Sequence, residues 1–151
     1  MRKLRGPRPS KEIFYRMLID AAASQSTCAR RAVGGVAFDK EGRIVSIGFN
    51  GVPKGWPHCN EGNPCSGAQD ESGNTTRCDA VHVEKNLLLN CSNPDKIYLV
   101  VLPIYPCKDC AILLANLRYL NEVLYFDIYP DTRGLEILDK SGIKHRKISV
   151  T

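Results

Sequence analysis

Two short segments of the 151-residue chain carry side chains that can do chemistry together. HVEKNLLLN supplies His82 and Glu84, and PCKDC supplies Cys107 and Cys110. Cysteines three apart in the opening turn of a helix place both sulfurs on one face. A helix N-terminus also favours thiolates, through its dipole and its free N–H groups. Two thiolates and one imidazole give three ligands and leave a fourth position open, the composition of a catalytic rather than a structural zinc site. CxxC alone reads equally as a redox pair or as buried cysteines; HxE ahead of one helix and PCxxC ahead of another favours zinc. Glu84 sets a geometric condition. In an ideal helix, side chains two apart point about 200° from each other, so His82 and Glu84 share a site only if His82 lies at an irregular helix entry. Glu84 then need not be a ligand, and can move a proton beside zinc-activated water. Its other reading is a carboxylate that complements the helix N-terminus.

The elements that must position these groups follow from pattern. Ile13, Phe14, Met17, Leu18, Ala21 and Ala22 recur at helical spacing behind Ser10, a natural N-cap. AVGGVAFDKEGRIVSIGFNG holds two apolar runs around the turn residues Asp39 to Gly42 and predicts a β-hairpin. Residues 50 to 79 have few large apolar side chains, which marks a functional loop. A helix capped by Asp79 is expected from about Val81 to Asn90. Ile97 to Leu102 reads as a strand covered on both faces. Pro106 suits the first turn of a helix reaching about Tyr119. VLYFDIY predicts a strand, Thr132 to Lys140 a helix stopped by Gly142, and Ile143 to Val150 a weak last strand. The order αββαβαβαβ implies an α/β domain, a central sheet with helices on both faces. No internal repeat or boundary divides it, so one domain is expected over residues 1–151, with 1–9 a flexible basic tail.

Composition narrows the function. Arg2, Lys3, Arg5, Arg8 and Lys11 account for the whole +5 net charge and leave the rest of the chain neutral. A nucleic-acid-binding face built into the domain should survive removal of a tail, so none is expected. Met1 to Ser10 has no apolar run, and IYLVVLPIY is too short to span a bilayer. The seven cysteines then suggest metal ligands, catalysis or reduced thiols rather than a disulfide framework. The expectation is a soluble, cytoplasmic domain.

H-x-E followed by P-C-x-x-C is the signature of zinc nucleobase deaminases. The chain resembles a deoxycytidylate (dCMP) deaminase of the phage and bacterial type, within the cytidine deaminase-like superfamily. The matching segments are TCARRAVGGVAF, GRIVSIGFNGVPKG, HC at 58–59, HVE at 82–84 and PCKDC, in the family's order. This resemblance implies a three-layer α/β/α fold around a mixed sheet of about five strands. It implies zinc on His82, Cys107 and Cys110, Glu84 as the proton carrier, and conversion of dCMP to dUMP and ammonia, which feeds thymidylate synthesis. It places Asn50 at the sugar, Val81 and Tyr105 around the ring, and Arg30 and Tyr129 at the phosphate. Relatives are often homohexamers activated by dCTP and inhibited by dTTP, with Mg2+ on the triphosphate. The corresponding effector loop here is Gly51, Val52, Pro53 and Lys54.

Three positions depart from the family's pattern: Val83 for a small residue, Tyr105 for serine, and Phe49 for tyrosine. Some relatives carry a second, structural zinc, and Cys28, Cys59, Cys65 and Cys78, with His58 as a substitute, lie in comparable places. Free thiols are the alternative. The nearest rival function is another deaminase of the superfamily, acting on cytidine or on adenosine in tRNA; a polynucleotide substrate needs a basic groove that the neutral body does not suggest. A rival of another class is a zinc-stabilised nucleic-acid-binding module, in which Glu84 would be idle.

Overall fold

The structure, a computed structural model, describes residues 1–71 and 73–151. The elements are α1 (Lys11–Ala23), β1 (Gly34–Phe38), β2 (Ile44–Phe49), α2 (Val83–Asn90), a 3-10 turn (Pro94–Lys96), β3 (Leu99–Ile104), α3 (Lys108–Ala115), β4 (Glu122–Asp127), α4 (Arg133–Lys140) and β5 (Lys144–Lys147). The sheet runs β2-β1-β3-β4-β5. β1 pairs antiparallel with β2 and β3, while β3, β4 and β5 run parallel, so the sheet is mixed.

Alternation along β1 and β3 builds two cores. Ala37, Val100 and Leu102 meet Leu87 of α2, Ala111 and Leu114 of α3 and Leu138 of α4. On the opposite face Val36, Phe38 and Val101 meet Ile19 of α1 together with Leu124, Phe126 and Ile148. Each buried aliphatic side chain contributes about 1.5–3 kcal/mol of transfer free energy. The two cores fix three layers, with one helix on one side of the sheet and three on the other.

Several boundaries differ from the sequence-based expectation, for physical reasons. Ser10 does cap α1, accepting the Ile13 N–H at 3.2 Å. Asp79 does not cap α2: that helix starts at Val83, with His82 as the N-cap. Residues just before it are drawn into an isolated antiparallel bridge between Gly51 and Val81, which holds them extended. Pro106 lies just ahead of the Cys107 cap instead of within the helix, and α3 ends at Ala115, not near Tyr119. β5 is only Lys144–Lys147, a polar strip on an edge where, among the described residues, β4 alone pairs with it. Gly142, at φ 70°, provides the left-handed turn that ends α4. Among the described residues no helix is long and apolar enough to cross a membrane.

Candidate metal centre

His82 and Cys107 occupy equivalent positions. Each is the N-cap of its helix, in extended backbone conformation (φ −66°, ψ 152° and φ −64°, ψ 169°), and neither side chain makes a capping hydrogen bond. Both are therefore free to turn toward the same point. Cys110 follows in the first turn of α3, buried. Among the described residues, His82, Cys107 and Cys110 form the only group of three potential ligand residues whose donor atoms all lie within 4.8 Å of one another. His82 Nδ1 stands 3.7 Å from Cys107 Sγ and 3.4 Å from Cys110 Sγ. A tetrahedral ion with ordinary zinc–nitrogen and zinc–sulfur bonds separates such donors by about 3.6 Å. The set fits zinc in both chemistry and spacing.

The extended backbone at His82 meets the geometric condition that Glu84 imposed. His82 precedes the helix while Glu84 lies in its first turn, so the ideal-helix angle between them does not apply. Glu84 is 6% exposed. Burial pushes its carboxyl above the usual range, against the pull of nearby His82. Cys107 is drawn down to about 4, chiefly by the Cys110 thiol beside it and further by His82. Cys110, sharing that proton and buried, moves up. The imidazole is raised, mainly through its contact with Cys107. Two cysteine sulfurs, one imidazole and a buried carboxyl thus converge where two helices begin.

The supports of this centre are specific. Asn86 and Asn90 of α2 donate to the Phe49 and Ile47 carbonyls at 2.6 and 3.0 Å, and Ser46 Oγ donates to the Leu87 carbonyl at 2.7 Å. These bonds lock α2 to the edge strand. Gly134 of α4 lies so close to the PC dipeptide that an added Cβ would sit 1.9 Å from the Pro106 carbonyl oxygen. Sequence reasoning missed Gly134; a glycine early in a short helix, costing about 1 kcal/mol relative to alanine, was the available signal.

The remaining candidates separate into groups. Tyr129 stands near the centre, since Cys107 and Glu84, after burial, help hold its hydroxyl pKa up at about 12. Its ring stacks on Tyr105 at 4.7 Å. Tyr105 is 2% exposed and lies beneath Tyr129; its hydroxyl donates to the Tyr129 carbonyl and accepts the Tyr129 N–H at 3.2 Å. Asn50 is committed within the protein: Oδ1 accepts from Ser26 Oγ and from the Val33 N–H at 2.6 and 2.9 Å, and Nδ2 donates to the Arg31 carbonyl at 2.9 Å. One amide hydrogen is left for a ligand. Arg30 turns to the long loop, donating to the carbonyls of Gly67, Asn74 and Glu71 at 3.4, 2.7 and 2.7 Å.

The loop after β2 reaches the centre through backbone. The Val81 N–H donates to the Gly51 carbonyl at 2.7 Å, one residue before His82. Val52 and Pro53 are half-buried and Lys54 is exposed. Farther along, the Cys65 N–H donates to Cys59 Sγ at 3.2 Å. The Cys65 thiol is lowered by the Asp79 backbone first, then by the Gly67 backbone and the thiols of Cys59 and Cys78. Burial raises the Cys78 thiol, and Cys65 and Cys28 add to that. His58 points instead to Glu61, at 3.1 Å.

A family model of the cytidine and deoxycytidylate deaminase zinc-binding region matches residues 8–126. The deoxycytidylate deaminase of Saccharomyces cerevisiae is 30% identical over 156 residues, covering 95% of this chain and 46% of that protein. That of Mycobacterium phage D29 is 35% identical over 111 residues, covering 68% of this chain and 86% of the phage protein. The chain thus spans less than half the length of the yeast relative and most of the phage one. In fold it is similar to the dCMP deaminase of cyanophage S-TIM5 crystallised with dCMP and dUMP, at a TM-score of 0.69 and 24% identity, over 91% of this chain and 96% of that one.

Proposed function

Because the chain belongs to the cytidine and deoxycytidylate deaminase zinc-binding family, we propose that it hydrolyses dCMP to dUMP and ammonia. The observation that carries this is the convergence of His82, Cys107 and Cys110 near a buried Glu84 that stands outside their donor group. His82, Cys107 and Cys110 would hold zinc, which when bound lowers the pKa of water to about 7 and so supplies hydroxide at neutral pH. Water adds at C4 of the cytosine ring, the C–N bond breaks, and ammonia leaves. Glu84 carries one proton of the water to N3 as C4 becomes tetrahedral, and then the proton of the new C4 hydroxyl to the departing amine, leaving C4=O. In this reading Tyr129, whose hydroxyl feels Cys107 and Glu84, would border the substrate, and Val81, one residue before His82, and the remaining Asn50 N–H would contact it. The cyanophage protein, of the same fold, is described with dCMP and dUMP bound, which supports the choice of nucleotide.

Purified, zinc-loaded protein is expected to release ammonia from dCMP faster than from deoxycytidine, with no activity on RNA. Preference for deoxycytidine or RNA would move the assignment to another branch of the family. The finer expectations join the proposal: one functional domain, a cytoplasmic enzyme supplying dUMP for thymidylate synthesis, assembled as a homohexamer. Activation by dCTP and inhibition by dTTP, each with Mg2+, would act through Gly51 to Lys54. The Gly51–Val81 bridge gives that loop a direct backbone route to His82. Assays of dCMP turnover with each triphosphate added in turn test this, and indifference to both removes it.

A second, structural zinc on Cys28, Cys59, Cys65 and Cys78 belongs to the same proposal. Cys65 touching Cys59 and Cys78 supports it, though these sulfurs are more widely spread than the first set. Bound metal would secure a loop that has little apolar core to hold it. Metal analysis should find two zinc ions per chain. A single ion, retained when Cys65 is replaced by serine, would leave these four as free thiols.

A further inference from the structure

The substrate proposed above carries a 5′-phosphate, a dianion near neutral pH that calls for a fork of charged donors. Arg30 is spent on the long loop, its Nη1 donating to the Gly67 and Asn74 carbonyls and its Nη2 to that of Glu71. Another arginine is better placed. Arg133 opens α4 immediately before Gly134, whose Cα rests against the backbone of Pro106 and Cys107. Arg133 is therefore fixed one residue away from the chain that carries a candidate ligand.

Its orientation is set as well. Asp131 takes Nε at 3.0 and 3.1 Å and Nη2 at 2.6 Å, and it also accepts the Arg133 N–H at 3.0 Å. Nη1 is left with no protein acceptor among the described residues, on a side chain 65% exposed. Tyr129 links this pair to the centre. Its hydroxyl feels Cys107, Asp131 and Glu84, and it acts on Arg133 in turn, as does Asp109. Tyr105, buried beneath, holds the Tyr129 backbone through both functions of one hydroxyl. Cys107, Tyr129 and Arg133 are thus neighbours, joined through the Gly134 contact with the Cys107 backbone, a grouping that can meet the base, sugar and phosphate of one nucleotide.

We infer that Arg133, aimed by Asp131 and flanked by Tyr129, reads the 5′-phosphate and sets the preference for a nucleotide over a nucleoside. Asp131 lessens the attraction for an anion but fixes the fork, so that Nη1 and the free hydrogen of Nη2 can take two phosphate oxygens together. This inference rests on the deaminase assignment, and its test separates the two.

Equilibrium binding of dUMP and of deoxyuridine is measured on zinc-loaded wild type, Arg133→Gln, Arg133→Lys and Arg30→Gln, alongside kcat and KM for dCMP. Arg133→Gln is expected to weaken dUMP by about tenfold while deoxyuridine binding is unchanged, and to raise KM more than it lowers kcat. Arg133→Lys keeps the charge but loses the fork and should fall between. Arg30→Gln, which loosens the loop, should affect both ligands alike. A wild type that favours dUMP and an Arg133→Gln variant that keeps this preference would overturn the inference and leave the deaminase assignment standing. Equal weakening of both ligands would reduce Arg133 to a structural support and overturn it too. A wild type that binds neither ligand would bring down both.

Discussion

Glu84→Gln is expected to lower turnover of dCMP by about 10³-fold, within the range set by removing a positioned general acid–base, while zinc content stays at the wild-type level. The substitution keeps the size and the hydrogen-bonding reach of the side chain but removes its ability to take up and return a proton. The three donor atoms grouped by the structure come from His82, Cys107 and Cys110, and none comes from Glu84. The metal should therefore remain. Folding should also be preserved or improved, since a buried carboxyl is replaced by a neutral amide in a site that disfavours charge. The measurements are steady-state kinetics, metal content and thermal unfolding on the same preparation. Turnover within tenfold of wild type would remove Glu84 from the mechanism. Loss of zinc together with activity would make it a ligand, and the open coordination position would go with it.

How much of this site the sequence could reveal depends on whether each feature is local. That His82, Cys107 and Cys110 come together was legible because CxxC at a helix start and HxE ahead of another helix are short-range patterns with few chemical uses. The continuous apolar run of β3 was equally legible as a strand covered on both faces, because each face of a buried strand must find a partner layer. The start of α2 was not. By residue type Asp79 is the better N-cap, yet the Gly51–Val81 bridge holds the chain extended through His82. That pairing joins residues 30 positions apart, and no local signal encodes it. β5 was legible only as a weak last strand over Ile143 to Val150, wider than the one that forms. Lys144–Lys147 is almost wholly polar, and the strand exists because the parallel edge of β4 offers it hydrogen bonds.

Arg30, Asn50 and Arg133 show the limit for substrate contacts. All three are polar side chains on irregular segments or at a helix start, and their sequence context does not name their partners. Asn50 is held by the Ser26 hydroxyl and the backbone of residues 31 to 33, and Arg30 by carbonyls near residue 70. A family resemblance can place such residues near a site. Only geometry distinguishes an arginine whose two terminal nitrogens are bound to loop carbonyls from one whose Nη1 is left open.

Gly134→Ala supplies the second large effect, expected as a loss of about 10²-fold in turnover, the scale of a roughly 1 Å misplacement of catalytic groups. Helix propensity alone predicts the opposite direction for stability, because alanine favours a helix over glycine by about 1 kcal/mol. Space decides against propensity. The new Cβ would lie 1.9 Å from the Pro106 carbonyl oxygen, 3.0 Å from its carbon and 3.3 Å from the Cys107 carbonyl carbon. These are backbone atoms, so no side-chain rotation relieves the clash. Either α4 lifts from α3 or the PC dipeptide shifts. Leu138 holds α4 in the core while Ala111 and Leu114 hold α3 there, all fully buried, so the strain is shared by both. Overpacking of this kind costs about 1–3 kcal/mol, so the melting temperature should fall instead of rising. Displacement of Cys107 should weaken zinc retention against a chelator and lower kcat together. A higher melting temperature with unchanged kcat and zinc retention would mean that α4 yields freely, and that Cys107 is positioned by α3 alone.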